Sequence, residues 1–345
     1  MKLYILPLII IFFLCLHSCI NRPYPRALQA ADSLVDIRPD SALSLLQQIK
    51  DSIAHEPEET QMHYKLLCVK AQDKAYVTHT SDTIIQQVLC YYRNKKDKKY
   101  LPEVLYYAGR VYADLGDAPQ ALEYFQQAIE ASKRSTDYFL INRIYSQMGT
   151  LYLYQDVYDK APEMFSKCYQ YSVLAKDSIG MVYSLRDIGR YFSTQEQVDS
   201  AICYYKKADR LAERINNQEL RCMVNGELSG YYTELKRYNE AYKTMQIAFT
   251  QLDIPSLDAQ YSVAASYYKS LNKIDSATFY YSKLLNSNSF LHKQIAYQGL
   301  GYIARQNGEL DKALAYFDKY LIYTDSLQEI TQTESVRKTS ALYNY

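Results

Sequence analysis

The sequence predicts an all-α protein, a tandem array of helical hairpins, and three observations carry that prediction. The 345 residues include only 10 Gly and 9 Pro, too few chain-breakers for the many turns of a β-sandwich or a loop-rich enzyme. A pattern of small and large residues recurs in register between residues 102 and 323, the mark of an array in which each unit buries its apolar face against the next. Hydrophobic residues make up 48% of the chain and charged ones 22%, which suits packed helices rather than disorder. Lys plus Arg number 39 against 38 Asp plus Glu. With no basic excess to displace counterions from phosphates, the chain is not expected to bind nucleic acid.

The first element is an address rather than structure. Met1-Lys2 precedes the apolar run Leu3 to Leu16, shorter than the roughly 20 residues a spanning helix needs and sized for the core of a secretory signal. Residues 1–18 therefore read as a signal peptide. Leu16-His17-Ser18-Cys19 resembles the bacterial lipobox, although His17 departs from the small residue usual there. The resemblance implies lipidation at Cys19 and a membrane-anchored lipoprotein of the cell envelope that faces the periplasm. Several acyl chains hold such a protein stably where one does not. Residues 19–26 read as a short tether. Lipidation of Cys19 after removal of the leader leaves Cys68, Cys90, Cys168, Cys203 and Cys222. Their odd number and irregular spacing argue against a disulfide framework or a zinc site. Most are expected to be small buried hydrophobes, with a Cys203–Cys222 pair left open.

Residues 27–101 read as two degenerate hairpins forming an N-terminal cap. Ala30…Ala42…Leu46…Ile49 keeps a small–Ala–large register, with Asp40-Ser41 as its cap. Met62 to Tyr76 and Thr83 to Tyr92 form the second pair.

Six units follow over residues 102–323. Gly109…Tyr112…Ala121…Phe125…Ala128 recurs as Gly149…Tyr152…Ala161…Phe165…Cys168, then as Gly189…Phe192…Ala201…Tyr205…Ala208. The next copies are Ser229…Tyr232…Ala241…Met245…Ala248, Ala265…Tyr268…Ala277…Tyr281…Leu284 and Gly301…Ala304…Ala313…Phe317…Tyr320. The pattern resembles the tetratricopeptide repeat, whose unit is a helix A, a turn and a helix B. The resemblance implies a helical-hairpin solenoid wound as a right-handed superhelix. The spacing here is 40 residues (Gly109 to Gly149) and later 36 (Ala265 to Gly301), against 34 in the family. The excess implies longer helices or longer links.

A Gly inside a helix costs about 1 kcal/mol relative to Ala, so Gly109, Gly149, Gly189 and Gly301 at one register require close approach. Ala121, Ala161, Ala201, Ala241, Ala277 and Ala313 are expected to supply the facing small surface. The large residues four later are expected to fill the space toward the next unit. Pro119 and Pro162 suit first turns, and Asp199-Ser200 and Asp275-Ser276 are candidate caps of B helices. The 38 Tyr include pairs such as Tyr106-Tyr107 and Tyr231-Tyr232, with one ring expected in the core and one at the surface. Residues 324–345 read as a polar helix capping the last unit.

Signatures of chemistry are missing from the sequence: no Gly-rich phosphate loop, no H-E-x-x-H, no G-x-S-x-G. No enzyme activity, cofactor or metal site is expected. The basic run Arg93 to Lys99 reads as a solvated loop, with anionic lipid headgroups as its other reading. In the resembled family, ligands lie on the A helices, one and four residues after the small position and three before it. Carried over, those positions are Tyr106, Arg110, Thr150, Leu153, Arg186, Arg190, Gln298, Tyr302 and Arg305, with Arg143 and Tyr183 extending the same wall. Arg and Tyr together suit an acidic peptide or protein. The function expected is a non-enzymatic scaffold that binds protein or peptide. One alternative is the sensory ectodomain of a membrane-bound regulator, because the chain also resembles Bacteroidetes lipoproteins with such repeats and the extracytoplasmic repeat regions of Bacteroidetes membrane regulators. A second is a glycan-capturing lipoprotein.

Overall fold

The computed structural model describes residues 24–155, 157–251, 257–287 and 289–325. The signal peptide, Cys19 and the tail beyond Asp325 lie outside the described residues, which contain helices and their connections and no strand. The chain divides into two compact units, Met1–Leu115 and Gly116–Tyr345, and the division falls inside the first predicted repeat.

The first unit holds α1 (Arg26–Leu34), α2 (Pro39–Ile53), α3 (Glu58–Lys74), α4 (Thr83–Asn94) and α5 (Leu101–Asp114). The two expected N-terminal hairpins are α1–α2 and α3–α4, built on Leu28, Ala31, Ala42, Leu46 and Leu67. Asp40-Ser41 does not cap: Arg38 holds the cap position, Pro39 starts the helix and Asp40 sits in its first turn.

The second unit holds α6 (Ala118–Ala131), α7 (Tyr138–Tyr154), α8 (Ala161–Leu174), α9 (Ser178–Thr194), α10 (Val198–Arg214), α11 (Gln218–Glu234), α12 (Tyr238–Ala248), α13 (Asp258–Ser270), α14 (Ile274–Leu284) and α15 (Phe290–Gln306). Residues 310–325 add a last helix, α16. The A helices are α7, α9, α11, α13 and α15. Each packs on the preceding B helix and on the neighbouring A helix, whereas among the described residues no B helix packs on another B helix.

Helix length, not link length, sets the long period. Helices α9, α10 and α11 each have 17 residues, and left-handed residues follow at Lys176, Glu196, Asn216 and Lys236, so one helix and its joint take 20 residues. At each joint the residue after the left-handed one donates back to the last helical turn, as Asp177 N–H does to Ser172 O at 2.8 Å, closing a Schellman motif. The Asp177 side chain then caps α9 by accepting from Gly180 N. Asp137 and Asn217, 40 residues before and after, cap α7 and α11 in the same way. Asp199 and Asp275 are not caps; they lie in the first turns of α10 and α14, where an acidic group complements the helix dipole. The 36-residue period comes with shorter B helices: α12 and α14 have 11 residues each.

The register alanines are buried as expected, but the glycines answer a different neighbour. A Cβ on Gly149 would lie 2.5 Å from the Phe165 ring, one on Gly189 3.2 Å from Tyr205, and one on Gly301 3.0 Å from Phe317. The large residue of helix B therefore packs onto the glycine of its own unit rather than toward the next. Ser229 takes the position differently, donating its hydroxyl to Ala241 O at 2.8 Å. The tyrosine pairs also divide otherwise than expected, since Tyr106, Tyr107, Tyr231 and Tyr232 are all buried. All five cysteines are free; Cys168 and Cys222 are buried, while Cys90 and Cys203 are exposed.

Candidate functional site

The A helices position the candidate wall residues, and three local arrangements result. The first unit contains Tyr106 and Arg110 on α5. Tyr106 is 2% exposed and packs edge-to-face on Tyr107 with ring centroids 5.0 Å apart. It is a core residue, which corrects its placement on an open wall. Arg110 Nε donates to Asp73 on α3 at 2.6 Å, and Asp114 stands 3.7 Å away one turn on. Asp114 also accepts from the backbone N–H of His79 and pairs with its ring at 2.7 Å. Burial works against that carboxylate, but His79 and Arg110 hold it below the usual carboxylate range.

In the second unit, Arg186 and Arg190 face the same way on α9, one turn apart. Asp187, 3% exposed, accepts both Nε and Nη2 of Arg186 at 2.9 and 2.6 Å. Glu227 on α11 takes Arg190 as a fork, at 2.5 and 3.3 Å. Arg186 also lies 5.0 Å from the Tyr183 ring centroid. Against the cost of burial, Glu227 and Asp187 raise Arg190 above its ordinary value. The Tyr205 hydroxyl donates to Glu227 at 3.3 Å, so the ring that packs on Gly189 also holds the ion network. Two cations meet two carboxylates, and the chain itself supplies the acidic partner that the sequence reading assigned to a ligand.

The third arrangement is open. Tyr302 on α15 is 40% exposed, with Arg305 Cζ 5.4 Å and Lys269 Nζ 5.0 Å from its ring centroid. Arg305 and Lys269 are exposed, and among the described residues neither has a carboxylate within 4.0 Å. Lys269, on α13, went unlisted in the sequence reading, although it stands four residues after Ala265, the register that yields Arg305 after Gly301. Gln298 lies one turn before Tyr302 and is half-buried, as are Arg143 and Thr150 on α7, while Leu153 is buried. Charge-assisted hydrogen bonds from Lys269 and Arg305, with the ring between them, suit a carboxylate-bearing segment. Among the described residues no group of His, Cys, Asp and Glu could hold a metal ion.

Two stretches match models of the tetratricopeptide repeat, residues 102–135 and 295–321, and the chain thus carries tetratricopeptide repeats. It is 24% identical over 250 residues to the TPR repeat-containing protein MJ1428 of Methanocaldococcus jannaschii, a match covering 70% of this chain and 42% of that one. It is 23% identical over 177 residues to the regulatory protein RapK of Bacillus subtilis, covering 50% and 46%. The matches thus span less than half the length of these curated relatives. Among solved structures, a signal-transduction ATPase with a tetratricopeptide repeat sensor from Pyrococcus horikoshii aligns with TM-score 0.62 and 15% identity, over 90% of this chain and 48% of that one. NprR in complex with its cognate peptide NprX aligns at 0.54 and 15%, over 90% and 88%. Aspartyl phosphate phosphatase F of Bacillus subtilis aligns at 0.53 and 15%, over 88% and 96%. At such identities the likeness shows the fold alone.

Proposed function

We propose that this helical-repeat scaffold binds an acidic peptide or protein segment at the α13–α15 end of its A-helix wall, performs no chemistry, and is held at the cell envelope by a lipid on Cys19. The observation that carries the binding reading is the open trio Lys269, Tyr302 and Arg305. Its two cations face solvent with no carboxylate within 4.0 Å among the described residues, whereas Arg110, Arg186 and Arg190 are already engaged within the chain. NprR in complex with its cognate peptide NprX supports a peptide as the kind of partner such a fold accepts.

A labelled Asp/Glu-rich decapeptide and a Lys/Arg-rich one test the reading. The acidic peptide should bind, and K269E/R305E should weaken it about 10-fold or more as two attractions become repulsions. Affinity should also fall with salt, since exposed charges are screened over about 10 Å at 0.1 M. Equal binding of the two peptides, or an unaffected double variant, sinks the site. Fatty-acid labelling that requires Cys19 tests the anchor separately.

A further inference from the structure

The first unit presents a basic loop beside the point where the chain enters it. From the last turn of α4 into the link to α5 runs Arg93-Asn94-Lys95-Lys96-Asp97-Lys98-Lys99. Tyr24, the first described aromatic of the chain, stacks on His63 with centroids 4.4 Å apart and planes at 8°. His63 meets Tyr100 at 5.5 Å, and Lys99 Nζ lies 4.7 Å over the Tyr100 ring. Lys95 sits in the same way over Tyr91, at 4.8 Å. A run of rings therefore ties the entering strand of chain to the base of the loop. The tether is pinned at its inner end, not free.

The acidic groups here leave the loop net positive. Asp97 accepts the backbone N–H groups of Lys99 and Tyr100, at 2.8 and 3.0 Å. Glu59 reaches Lys95 at 3.7 Å with both side chains exposed, and Asp32 lies against His63 at 3.5 Å. Lys96, at the left-handed turn with φ 51°, and Lys98 are exposed and have no carboxylate within 4.0 Å among the described residues.

We propose that this loop is the face the protein lays on an anionic lipid surface, with Lys96 and Lys98 at the headgroups. The inference rests on lipidation at Cys19. Tyr24 stands five positions after Cys19, a reach of at most about 18 Å when fully extended. An acylated Cys19 sits at headgroup level, so the pinned Tyr24 lies within that reach of the membrane, and the rings of Tyr24, His63 and Tyr100, 4.4 and 5.5 Å apart in turn, connect it to the base of the loop. Juxtamembrane cations next to anionic headgroups then add to the anchor, and the attraction falls off within a Debye length.

The test uses the full acylated chain reconstituted in vesicles of 30% phosphatidylglycerol in phosphatidylcholine, or of phosphatidylcholine alone. An amine-reactive reagent and mass spectrometry read the modification rate of each lysine. Lys96 and Lys98 should react several-fold more slowly in the anionic vesicles, and 0.5 M NaCl should remove the difference. In K96Q/K98Q the protection of Lys95 and Lys99 should drop, at roughly 5-fold in surface affinity per lysine removed. Fatty-acid labelling of Cys19 in the same preparation separates the failures. A labelled chain whose loop reacts equally in both vesicles overturns the docking face alone. An unlabelled Cys19 overturns the anchor and, with it, the placement of the loop.

Discussion

Two stretches of the A-helix face in the second unit carry the same residue classes and do opposite things. On α9 and α11, Arg186 and Arg190 are locked to Asp187 and Glu227, with Arg186 over the Tyr183 ring and the Tyr205 hydroxyl on Glu227. On α13 and α15, Lys269 and Arg305 flank an exposed Tyr302 with no carboxylate within 4.0 Å among the described residues. The first region spends its charge on joining successive A helices. The second leaves its charge available to a partner. A cation at a wall register therefore says little until the residue facing it on the next helix is known.

The sharpest way to break this comparison is to reverse the charges in both places. R186E/R190E sets four carboxylates together in a partly buried site, and disrupting such a network costs about 3–5 kcal/mol for each partner lost. Thermal unfolding should show a collapsed midpoint, whereas K269E/R305E should leave helical content and midpoint unchanged. Similar midpoints for the two double variants would erase the distinction. Next in size, Gly149→Leu should destabilise by about 1–3 kcal/mol despite better helix propensity, because its Cβ meets the Phe165 ring at 2.5 Å. Gly226→Ala should do the reverse, stabilising by up to about 1 kcal/mol, since its Cβ would meet only Ala248 Cβ, at 3.8 Å. Chemical denaturation of both variants decides whether close approach, rather than glycine as such, matters at the register.

The smallest effect extends the comparison to the first unit. Asp114 is held below the usual carboxylate range in the fold, so its contribution to stability is present above the unfolded value near 4 and fades as the pH falls through the lower folded value. The stability gap between wild type and Asp114→Asn should therefore be widest near pH 6 and shrink toward pH 3. A gap that is flat over this range would remove Asp114 from the paired class.

Much of the fold was legible because a solenoid repeats one local solution, so the same residues return at one spacing. Ala121 through Ala313 announced the buried seam. At the left-handed joints Lys176, Glu196 and Lys236 are not turn residues by type, Asn216 alone of the four is, and only their 20-residue spacing marks them. Asp137, Asp177 and Asn217 mark the A helices with one cap each at 40-residue spacing. Among the site residues, Tyr302 and Arg305 were found from the register, and Lys269 could have been found the same way.

The sequence by itself determined the helical class, the hairpin register and the residues that make each seam, because these show as residue types recurring at a fixed spacing. Only the tertiary structure decided which ring fills which glycine and which arginine is satisfied. Phe165 on Gly149, and Arg190 on Glu227, join residues on different helices, 16 and 37 positions apart. Whether a side chain is core, brace or open wall is set by what the neighbouring helix brings to face it. No residue's own type or spacing contains that information.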